Sequence, residues 1–412
     1  AGNYTITQPT TTATITAKGL TVTGITANNK VFTGTVAATL NTGSAAFVGV
    51  ESGDTVTIGV GSVAGAFDDA NVGSGKSVTV TGVSKSGADA GNYTITQPFA
   101  SADITQASAG LSWATPTAIT FGTSLSSSQL NATASVAGNP VYDRATGERL
   151  NAGTHTLSVT FTPDSNNYAV ESATVSLVVN PKALTITADD VSITYGGTVT
   201  QSFTPTGLSS PDAASSVTYR YAGTGSTTYS SSTTPPSTAG SYSITPSAVV
   251  MSSGLVSNYT VTFTAGALAI ARASQQVLVA GVSASTLTYA APTKATTSLS
   301  SSGGDGDGAV TFSVVGGSNA VCSVSGSTLT AEGAGTCQIT ATKAQGTNHL
   351  ATTSAPVGIT VNKAAQTVSL DAISDRTYGD GTFSTTTSAS SGLTVTIQAG
   401  PGTVCDVPSG HT

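Results

Sequence analysis

The stretch AGNYTITQP occupies Ala1–Pro9 and recurs unchanged at Ala90–Pro98. Within it, Tyr4 and Ile6 alternate with threonines, so bulky side chains fall on one face and hydroxyl side chains on the other. An alternation with a period of two residues is typical of a β-strand that has one buried face. The stretch is therefore predicted to be a strand, and its recurrence indicates a chain built from repeats.

Weaker copies of this stretch follow at similar intervals. They read NNYAV, SNYTVT and TNHLAT, and in each copy a ring-bearing side chain comes directly after an asparagine. The ring residues are Tyr4, Tyr93, Tyr168, Tyr259 and His349, which are separated by 89, 75, 91 and 90 positions. We expect the rings of Tyr93, Tyr168 and Tyr259 to be buried against the core of a β-sandwich.

A second series of aromatic residues keeps nearly the same spacing. It consists of Phe32, Phe121, Tyr195, Tyr289 and Tyr378, at intervals of 89, 74, 94 and 89 positions. Two independent series with nearly equal steps indicate a tandem array of domains of about 75 to 90 residues. The predicted bounds are 1–18 (domain 1, a C-terminal fragment), 19–106 (domain 2), 107–182 (domain 3), 183–272 (domain 4), 273–363 (domain 5) and 364–412 (domain 6, truncated). Because the first copy of the stretch stands at the N-terminus, we expect the chain to open inside a domain and to be a segment of a longer protein.

The composition favours β-structure and excludes some classes of partner. Only 8% of the residues are charged, against about 25% in ordinary soluble domains, so the surface is expected to carry hydroxyl groups instead of ions. The net charge of −7 is spread along the chain without an acidic or basic block, which argues against nucleic-acid binding. No stretch approaches the 18 to 20 apolar residues of a spanning helix, so no membrane insertion is predicted.

The fold class predicted from this pattern is all-β. Short strands with even spacing, polar turns and no helical period indicate Ig-like β-sandwiches of about seven strands each. At junctions such as VVNPKALTIT the last strand of one domain runs into the first strand of the next with only a few residues between them. These junctions have no room for a flexible linker, so the domains are expected to be arranged end to end as an extended rod.

Several stretches resemble known repeats of large bacterial surface proteins. KGLTVTGITANNKVFTGTVAATL followed by GNYTIT resembles the YDG repeat, whose usual Tyr-Asp-Gly is replaced here by Phe32-Thr33-Gly34. ALTITADDVSITYGGT with SNYTVTF resembles the MBG repeat, and DRTYGDGTF in domain 6 has the same Tyr-Gly landmark. Domain 3, with Trp113, and domain 5, with two cysteines, are similar to bacterial Ig-like repeats. The resemblance implies a role as the stalk of an adhesin or of another exported giant protein.

The residues offer little for catalysis or metal binding. The chain has three histidines, one tryptophan and no Gly-x-Ser-x-Gly elbow, so no catalytic residues, no cofactor and no enzyme activity are predicted. Asp305 and Asp307, in GGDGDG, are weak candidates for Ca²⁺ ligands. A Ca²⁺ site needs six to eight oxygens and no glutamate follows at EF-hand spacing, so a solvated hairpin loop is favoured over a metal site.

Two cysteines in domain 5 are predicted to form a disulfide. Cys322 and Cys337 lie fifteen positions apart on strands joined by a Gly-rich hairpin. In a protein whose apparent relatives are exported, cysteines placed in this way are expected to be oxidised, and two reduced, buried thiols are the alternative. Cys405 aligns with Cys322, which places its expected partner about fifteen positions further on, beyond Thr412.

Three functions are compatible with these observations. The preferred one is a non-catalytic structural stalk on the bacterial cell surface, in which neighbouring repeats contact each other and a host or matrix ligand is bound by other domains. The second is a subunit of an extracellular filament or sheath in which identical chains pack laterally or end to end. The third is a non-catalytic glycan-binding module, for which the sequence shows no row of aromatic residues.

Overall fold

The computed structural model describes residues 2–401 and 405–407. Over these residues the chain is built from β-strands and contains no α-helix; the helical elements are two 3-10 turns, Ala90–Asn92 and Val256–Asn258. The prediction of an all-β chain of sandwich domains is therefore confirmed. No helix among the residues described is long and apolar enough to cross a membrane.

The chain divides into two compact units. The first contains residues 1–183 together with the turns Ser209–Asp212 and Gly254–Thr260, and the second contains Leu184–Leu208, Ala213–Ser253 and Val261–Thr412. Domains 2 and 3 therefore lie in the first unit and domain 5 in the second. Most of domain 4 belongs to the second unit, and two of its turns belong to the first.

The same nine residues adopt two conformations in this chain. At 90–98 they include a strand, Tyr93–Thr96, which pairs in parallel with residues 18–21. Residues 2–17 form no strand and are exposed, and the side chain of Tyr4 is 97% exposed. The prediction of a strand at the start of the chain is therefore wrong. A strand needs a neighbour to satisfy its backbone N–H and C=O groups, and no described residue pairs with this segment.

Domain 2 is a sandwich of short strands around a valine-rich core. Its strands are β1 (Lys18–Thr23), β2 (Thr26–Ala27), β3 (Lys30–Val31), β4 (Ala37–Ala38), β5 (Leu40–Asn41), β6 (Ala46–Val48), β7 (Thr57–Gly59), β8 (Ala64–Phe67), β9 (Gly73–Thr81), β10 (Ser84–Ser86), β11 (Tyr93–Thr96) and β12 (Phe99–Thr105). The two main sheets have the orders β3-β12-β9-β8-β4 and β11-β1-β6. The alternation along β9 places Val78 and Val80 in the interior, where both are fully buried.

Domain 3 has one regular sheet, whose other side is covered by less regular segments. Its strands are β13 (Ile119–Thr120), β14 (Gly138–Tyr142), β15 (Gly153–Pro163) and β16 (Glu171–Asn180), in the order β13-β16-β15-β14. Leu157 and Leu177 of the sheet pack against Leu125 and Trp113 of the covering segments. The carboxylate of Glu171 accepts hydrogen bonds from Ser108 and from backbone N–H groups of this cover, and these bonds lower its pKa.

Domain 4 consists of two sheets that enclose a core rich in tyrosine. Its strands are β17 (Lys182–Ala188), β18 (Val191–Thr194), β19 (Phe203–Thr206), β20 (Ala213–Gly223), β21 (Gly240–Ser253), β22 (Tyr259–Thr264) and β23 (Gly266–Ala271). The sheets have the orders β19-β17-β22 and β18-β23-β21-β20. Tyr221, Tyr242 and Ile244 of the second sheet are buried together with Leu268 of β23.

Domain 5 is also a two-sheet sandwich, and domain 6 is described only as a hairpin. The strands of domain 5 are β24 (Val279–Val282), β25 (Thr286–Thr288), β26 (Thr296–Ser302), β27 (Val310–Val314), β28 (Cys322–Ser325), β29 (Thr328–Ala331), β30 (Gly335–Lys343), β31 (Thr352–Thr353) and β32 (Val357–Asn362). One sheet has the order β24-β26-β29-β28 and the other β25-β32-β30-β27, with β31 paired to β30. In domain 6, β33 (Val368–Leu370) pairs with β34 (Thr387–Ala389), and Tyr378 is fully exposed.

The disulfide of domain 5 joins the two sheets of the sandwich. Cys322 on β28 and Cys337 on β30 are bonded, their Cα atoms lie 6.0 Å apart, and both side chains are buried in the core. The sequence predicted that the two cysteines lie on strands joined directly by a hairpin. In the structure β29 lies between their strands along the chain, and the two strands belong to facing sheets. Both positions point inward in the alternation of their strands, which is why the sulfurs meet. Cys405 is exposed and is not part of this disulfide.

Candidate functional site: a repeated junction between domains

One arrangement of three strands recurs at the C-terminal end of domains 2 to 5. A short early strand runs parallel to the last strand, and a long strand that begins at glycine runs antiparallel to it. The glycines pair with the last strand as follows: Gly73 with Ile104, Gly153 with Val179, Gly240 with Ile270, and Gly335 with Val361. At Gly153 and Gly335 the φ angles of +139° and +147° explain the choice of glycine.

The second aromatic series lies at this end of each domain, directly after the short parallel strand. The backbone N–H of each aromatic residue donates to a carbonyl at the end of the last strand. The bonds are Phe32 to Thr105 (2.8 Å), Phe121 to Asn180 (2.8 Å), Tyr195 to Ala271 (2.8 Å) and Tyr289 to Asn362 (2.9 Å). Because the chain continues from the last strand into the next domain, these rings lie where the next domain begins.

The asparagine of the first series docks onto this end of the preceding domain. Its side-chain oxygen accepts a hydrogen bond from the N–H of the residue just before the strand-starting glycine. The three bonds are Val72 to Asn167 (2.8 Å), Ala152 to Asn258 (2.8 Å) and Ala239 to Asn348 (2.9 Å). A side chain of the following domain thus satisfies a backbone donor of the preceding one at all three junctions.

The ring that follows the asparagine packs edge-on against the aromatic residue of the preceding domain. The ring centroids lie 5.5 Å apart for Phe32–Tyr168, 5.4 Å for Phe121–Tyr259 and 5.3 Å for Tyr195–His349, with interplanar angles of 78°, 77° and 72°. An edge-to-face pair contributes about 0.5–1.5 kcal/mol beyond the area that it buries. The two aromatic series are therefore the two halves of one contact, which is why their steps are nearly equal.

The first two junctions have further polar contacts. A second asparagine, just before the donor residue, accepts from the docking asparagine: Asn167 donates to Asn71 Oδ1 and Asn258 to Asn151 Oδ1, each at 3.0 Å. Arg149 of domain 3 donates to the Ser210 carbonyl of domain 4 at 2.7 Å. Arg149 directly follows Glu148, which forms an ion pair with Arg144.

The linker residue between the domains takes part in the first and third junctions. Ala107 donates its N–H to the Asn167 carbonyl at 3.0 Å and accepts from Ala169 N–H at 2.9 Å. Ala273 makes the corresponding bonds with Asn348 and Leu350, both at 2.9 Å. A parallel β-bridge thus fixes the linker to the turn that docks.

The hydroxyl group of the tyrosine holds the docking turn within its own domain. Tyr259 donates to Asp212 Oδ2 at 2.6 Å and accepts from Ser209 N–H at 3.0 Å. Tyr93 makes the corresponding bonds, with Asp54 Oδ2 at 2.6 Å and with a backbone N–H at 3.1 Å. Burial, followed by the bond to Asp212, raises the pKa of Tyr259, and the bond to Asp54 raises the pKa of Tyr93. Both hydroxyls therefore remain protonated donors at neutral pH.

The structure corrects the expected surroundings of the tyrosines in the first series. Tyr93 and Tyr259 are 3% and 6% exposed, but Tyr168 is only half-buried. Tyr168 and Tyr259 contact the preceding domain through Phe32 and Phe121. The sequence predicted rings inside the core of their own sandwich, because a strand pattern shows which face is buried but not what buries it.

The aspartates considered for Ca²⁺ bind donors of the protein itself. Asp305 accepts from Gln276 N–H at 2.7 Å, and Asp307 accepts from the N–H and hydroxyl of Thr347 at 2.9 and 2.7 Å. These bonds lower the pKa of both carboxyl groups. Within the residues that the structure describes, no group of three metal-ligating side chains is found. Asp307 instead binds Thr347, the residue next to Asn348, in the turn of domain 5 that contacts domain 4.

A cavity of about 440 Å³ lies beside the aromatic residue of domain 4. Tyr195, Pro235, Pro236 and Ile270 line it, together with small and hydroxyl residues and no charged side chain. It contains no titratable pair suited to acid–base chemistry. The contacts described at the junctions join neighbouring domains.

Two domain families match parts of the chain. Residues 16–102 match the YDG domain, and residues 184–269 match the MBG domain of the YGX type. Among solved structures, Drosophila N-cadherin EC1-4 aligns with 82% of this chain and 98% of its own, at 11% identity and a TM-score of 0.24. Protocadherin Gamma B2 cadherin domains 3-6 align with 85% and 98%, at 8% identity and a TM-score of 0.27. TM-scores this low carry no argument about shared structure or function.

No relative was found among curated proteins. The matched domain families are repeat-type structural modules of non-catalytic kinds. The two family matches confirm the resemblance to YDG- and MBG-type repeats that residues of domains 2 and 4 predicted.

Proposed function

We propose that this chain is a stalk segment of a large exported bacterial surface protein of the adhesin type. The observation that carries the proposal is the recurrence of one junction at three places, with the same asparagine bond and the same ring contact each time. A protein that must keep a binding tip away from the cell needs domains with fixed neighbours. In this role a host or matrix ligand is bound by other domains.

The junctions leave little freedom to the chain between domains. Between domains 3 and 4 a single residue, Pro181, separates the strand that ends at Asn180 from the one that begins at Lys182. Proline fixes its own φ angle and restricts the residue before it. The asparagine bond adds about 0.5–1.5 kcal/mol, and the ring pair adds a similar amount. Together these features leave few conformations to the chain at this junction.

The surface chemistry and the disulfide support a place outside the cell. Disulfides persist in oxidising compartments and are rare in the cytosol, and Cys322–Cys337 is buried within the sandwich that it links. A surface poor in charge and rich in threonine and serine hydroxyls suits a passive spacer. The proposed location is the bacterial cell surface.

Small-angle X-ray scattering on the chain tests the proposal. We expect a rod-like particle with a maximum dimension above about 150 Å, since each sandwich adds on the order of 35 Å at 3.3 Å per strand residue. The matched control is the triple variant Asn167→Ala, Asn258→Ala, Asn348→Ala, which removes the same bond from three junctions. Its scattering should show greater flexibility while its circular dichroism stays unchanged. A compact particle for the wild-type chain would contradict the proposal.

A further inference from the structure

A tract rich in serine, threonine and proline joins β20 and β21 in domain 4. From Ser230 to Thr238 it reads SSSTTPPST, so every residue except the two prolines carries a hydroxyl group. No charged residue occurs between Arg220 and Arg272, and the tract therefore has no ionic group of its own. Sequences with this composition are typical of stalks that carry O-linked sugars.

Contacts with the rest of domain 4 fix the course of this tract. Ser232 forms an antiparallel β-bridge with Tyr221, and the hydroxyl of Tyr229 donates to the Thr234 carbonyl at 2.8 Å. Pro236 is buried. The first proline also restricts the residue before it to an extended conformation. The tract is therefore an ordered part of the domain surface that presents its exposed hydroxyl groups at fixed places.

The hydroxyl groups of the tract differ in what they contact. Ser232 Oγ accepts from Thr234 N–H at 3.0 Å, and the Thr238 hydroxyl lies 2.8 Å from the hydroxyl of Tyr242. Ser237 is exposed, and its hydroxyl makes no hydrogen bond with another group among the residues that the structure describes. It is therefore accessible to a modifying enzyme, and its modification would break no contact within the domain.

Ser237 also lines the cavity of about 440 Å³ beside Tyr195. Pro236 and Ile270 give this cavity apolar surface, Thr198 gives it a hydroxyl group, and no charged side chain lines it. Sites for small ligands commonly combine apolar walls with a few polar groups in this way. A sugar ring has apolar C–H faces and a rim of hydroxyl groups, so its chemistry matches both kinds of surface.

We propose that Ser237 is a site of O-glycosylation and that the attached sugar lies in this cavity, against Tyr195. The donor is a sugar activated as a diphosphate ester of a nucleotide or a lipid, and a glycosyltransferase catalyses the transfer. Ser237 Oγ forms a bond to the anomeric carbon, and the bond from that carbon to the diphosphate oxygen breaks. The diphosphate leaves with the electron pair, and the hydroxyl proton passes to a base of the transferase.

The proposal goes beyond the stalk function, which does not depend on whether Ser237 is modified. Mass spectrometry of the chain isolated from the cells that naturally produce it tests the modification. Trypsin cleaves after Arg220 and Arg272 and releases the tract in one peptide, since no lysine or arginine lies between them. This peptide should be heavier than its sequence by whole sugar residues, and fragmentation should place one of them on Ser237. Mild alkali, which eliminates O-linked sugars from serine, should remove the added mass.

The same peptide contains an internal control. Thr260 and Thr264 on β22 are exposed, but they do not line the cavity and lie outside the Ser/Thr/Pro tract. Both should be unmodified. Ser237→Ala, produced in the same cells, should lose the sugar assigned to this position. Ser230→Ala is the matched variant, because it removes an exposed serine of the tract that does not line the cavity, and it should keep the sugar on Ser237.

NMR tests whether the sugar lies in the cavity. The ring signals of Tyr195 should differ between the chain from its natural cells and the same chain made in cells that lack the transferase. The signals of Tyr378, whose ring is fully exposed, should be equal in the two. An unmodified Ser237 in the naturally produced chain overturns the proposal, and so does a glycosylated Ser237 that leaves the Tyr195 signals unchanged.

Discussion

Replacing Tyr259 with alanine is expected to lower the free energy of unfolding of domain 4 by about 3–5 kcal/mol, as large aromatic truncations in buried sites do. The ring is 6% exposed and packs edge-on against Phe121. Its hydroxyl is bonded to Asp212 and to Ser209 N–H, so the substitution also leaves the half-buried carboxylate and the buried N–H without this partner. The loss should therefore exceed that of an ordinary surface change several-fold.

Hydrogen exchange read domain by domain by mass spectrometry measures this effect, because the unfolding of a multidomain chain is not a single two-state transition. Tyr378→Ala is the matched control: the same side chain is removed from a fully exposed position, and the change should stay within about 0.5 kcal/mol. Tyr259→Phe keeps the ring contact and removes only the hydroxyl bonds. Its loss of unfolding free energy should therefore lie between those of Tyr259→Ala and Tyr378→Ala. A loss below about 1 kcal/mol for Tyr259→Ala would show that the ring contributes little to the fold.

Removing the Cys322–Cys337 disulfide is expected to lower the stability of domain 5 by about 3 kcal/mol. The bond closes a loop with a sequence separation of 15, and in the chain-entropy model a loop of this length contributes about that amount. It also holds the two sheets together at the centre of the core cluster. The double variant Cys322→Ala, Cys337→Ala should therefore unfold domain 5 at lower denaturant while domains 2 to 4 keep their midpoints.

Cys405→Ala is the control for the loss of a sulfur, because Cys405 lies outside the disulfide and is exposed. It should leave the stability of domain 5 unchanged. Treatment of the wild-type chain with a reductant should have the same effect as the double variant once the buried disulfide has been reduced. Equal domain 5 midpoints for the wild-type chain and the double variant would contradict the predicted contribution.

Much of the fold was predictable because it depends on local periodicity. The alternation of bulky and hydroxyl residues in stretches such as SVTVTG and HTLSVTF places Val78, Val80 and Leu157 in the interior, as the structure shows. The same reasoning failed for residues 1–9. Their pattern is identical to that of residues 90–98, but among the residues that the structure describes only the second copy has a neighbouring strand, β1, to pair with. A strand forms only when two segments pair through their backbones, whereas periodicity describes the side chains of one segment.

The sequence indicated one part of the junction and not the other. The equal steps of the two aromatic series showed that each marks a fixed point of the repeat, but spacing does not state which points of neighbouring domains meet. The usable signal was the asparagine before each ring, together with the absence of linkers. The sequence did not reveal the donor residue because it acts through its backbone. Val72, Ala152 and Ala239 contribute no side-chain group to the bond, and each is followed by a glycine.

The candidate Ca²⁺ ligands show a similar limit. Sequence places Asp305 and Asp307 on one loop, but it does not show that Gln276 and Thr347 donate to them. The disulfide pairing could be predicted, whereas its position across the sandwich could not. That position depends on β29 lying between the two cysteine strands, which is a matter of topology rather than of spacing.

Hydrogen exchange at four single amides tests the central claim, that one contact is repeated at each junction. The amides of Val72, Ala152 and Ala239 are bonded to an asparagine of the following domain. Ala334 occupies the corresponding position in domain 5, and its N–H has no hydrogen-bond partner among the described residues. Measured by NMR on the wild-type chain, the first three amides should exchange slowly and Ala334 should exchange fast. Asn258→Ala should accelerate exchange at Ala152 and leave Val72 and Ala239 unchanged. If all four amides exchange at the same rate, the three asparagine contacts do not hold the domains together and the account is wrong.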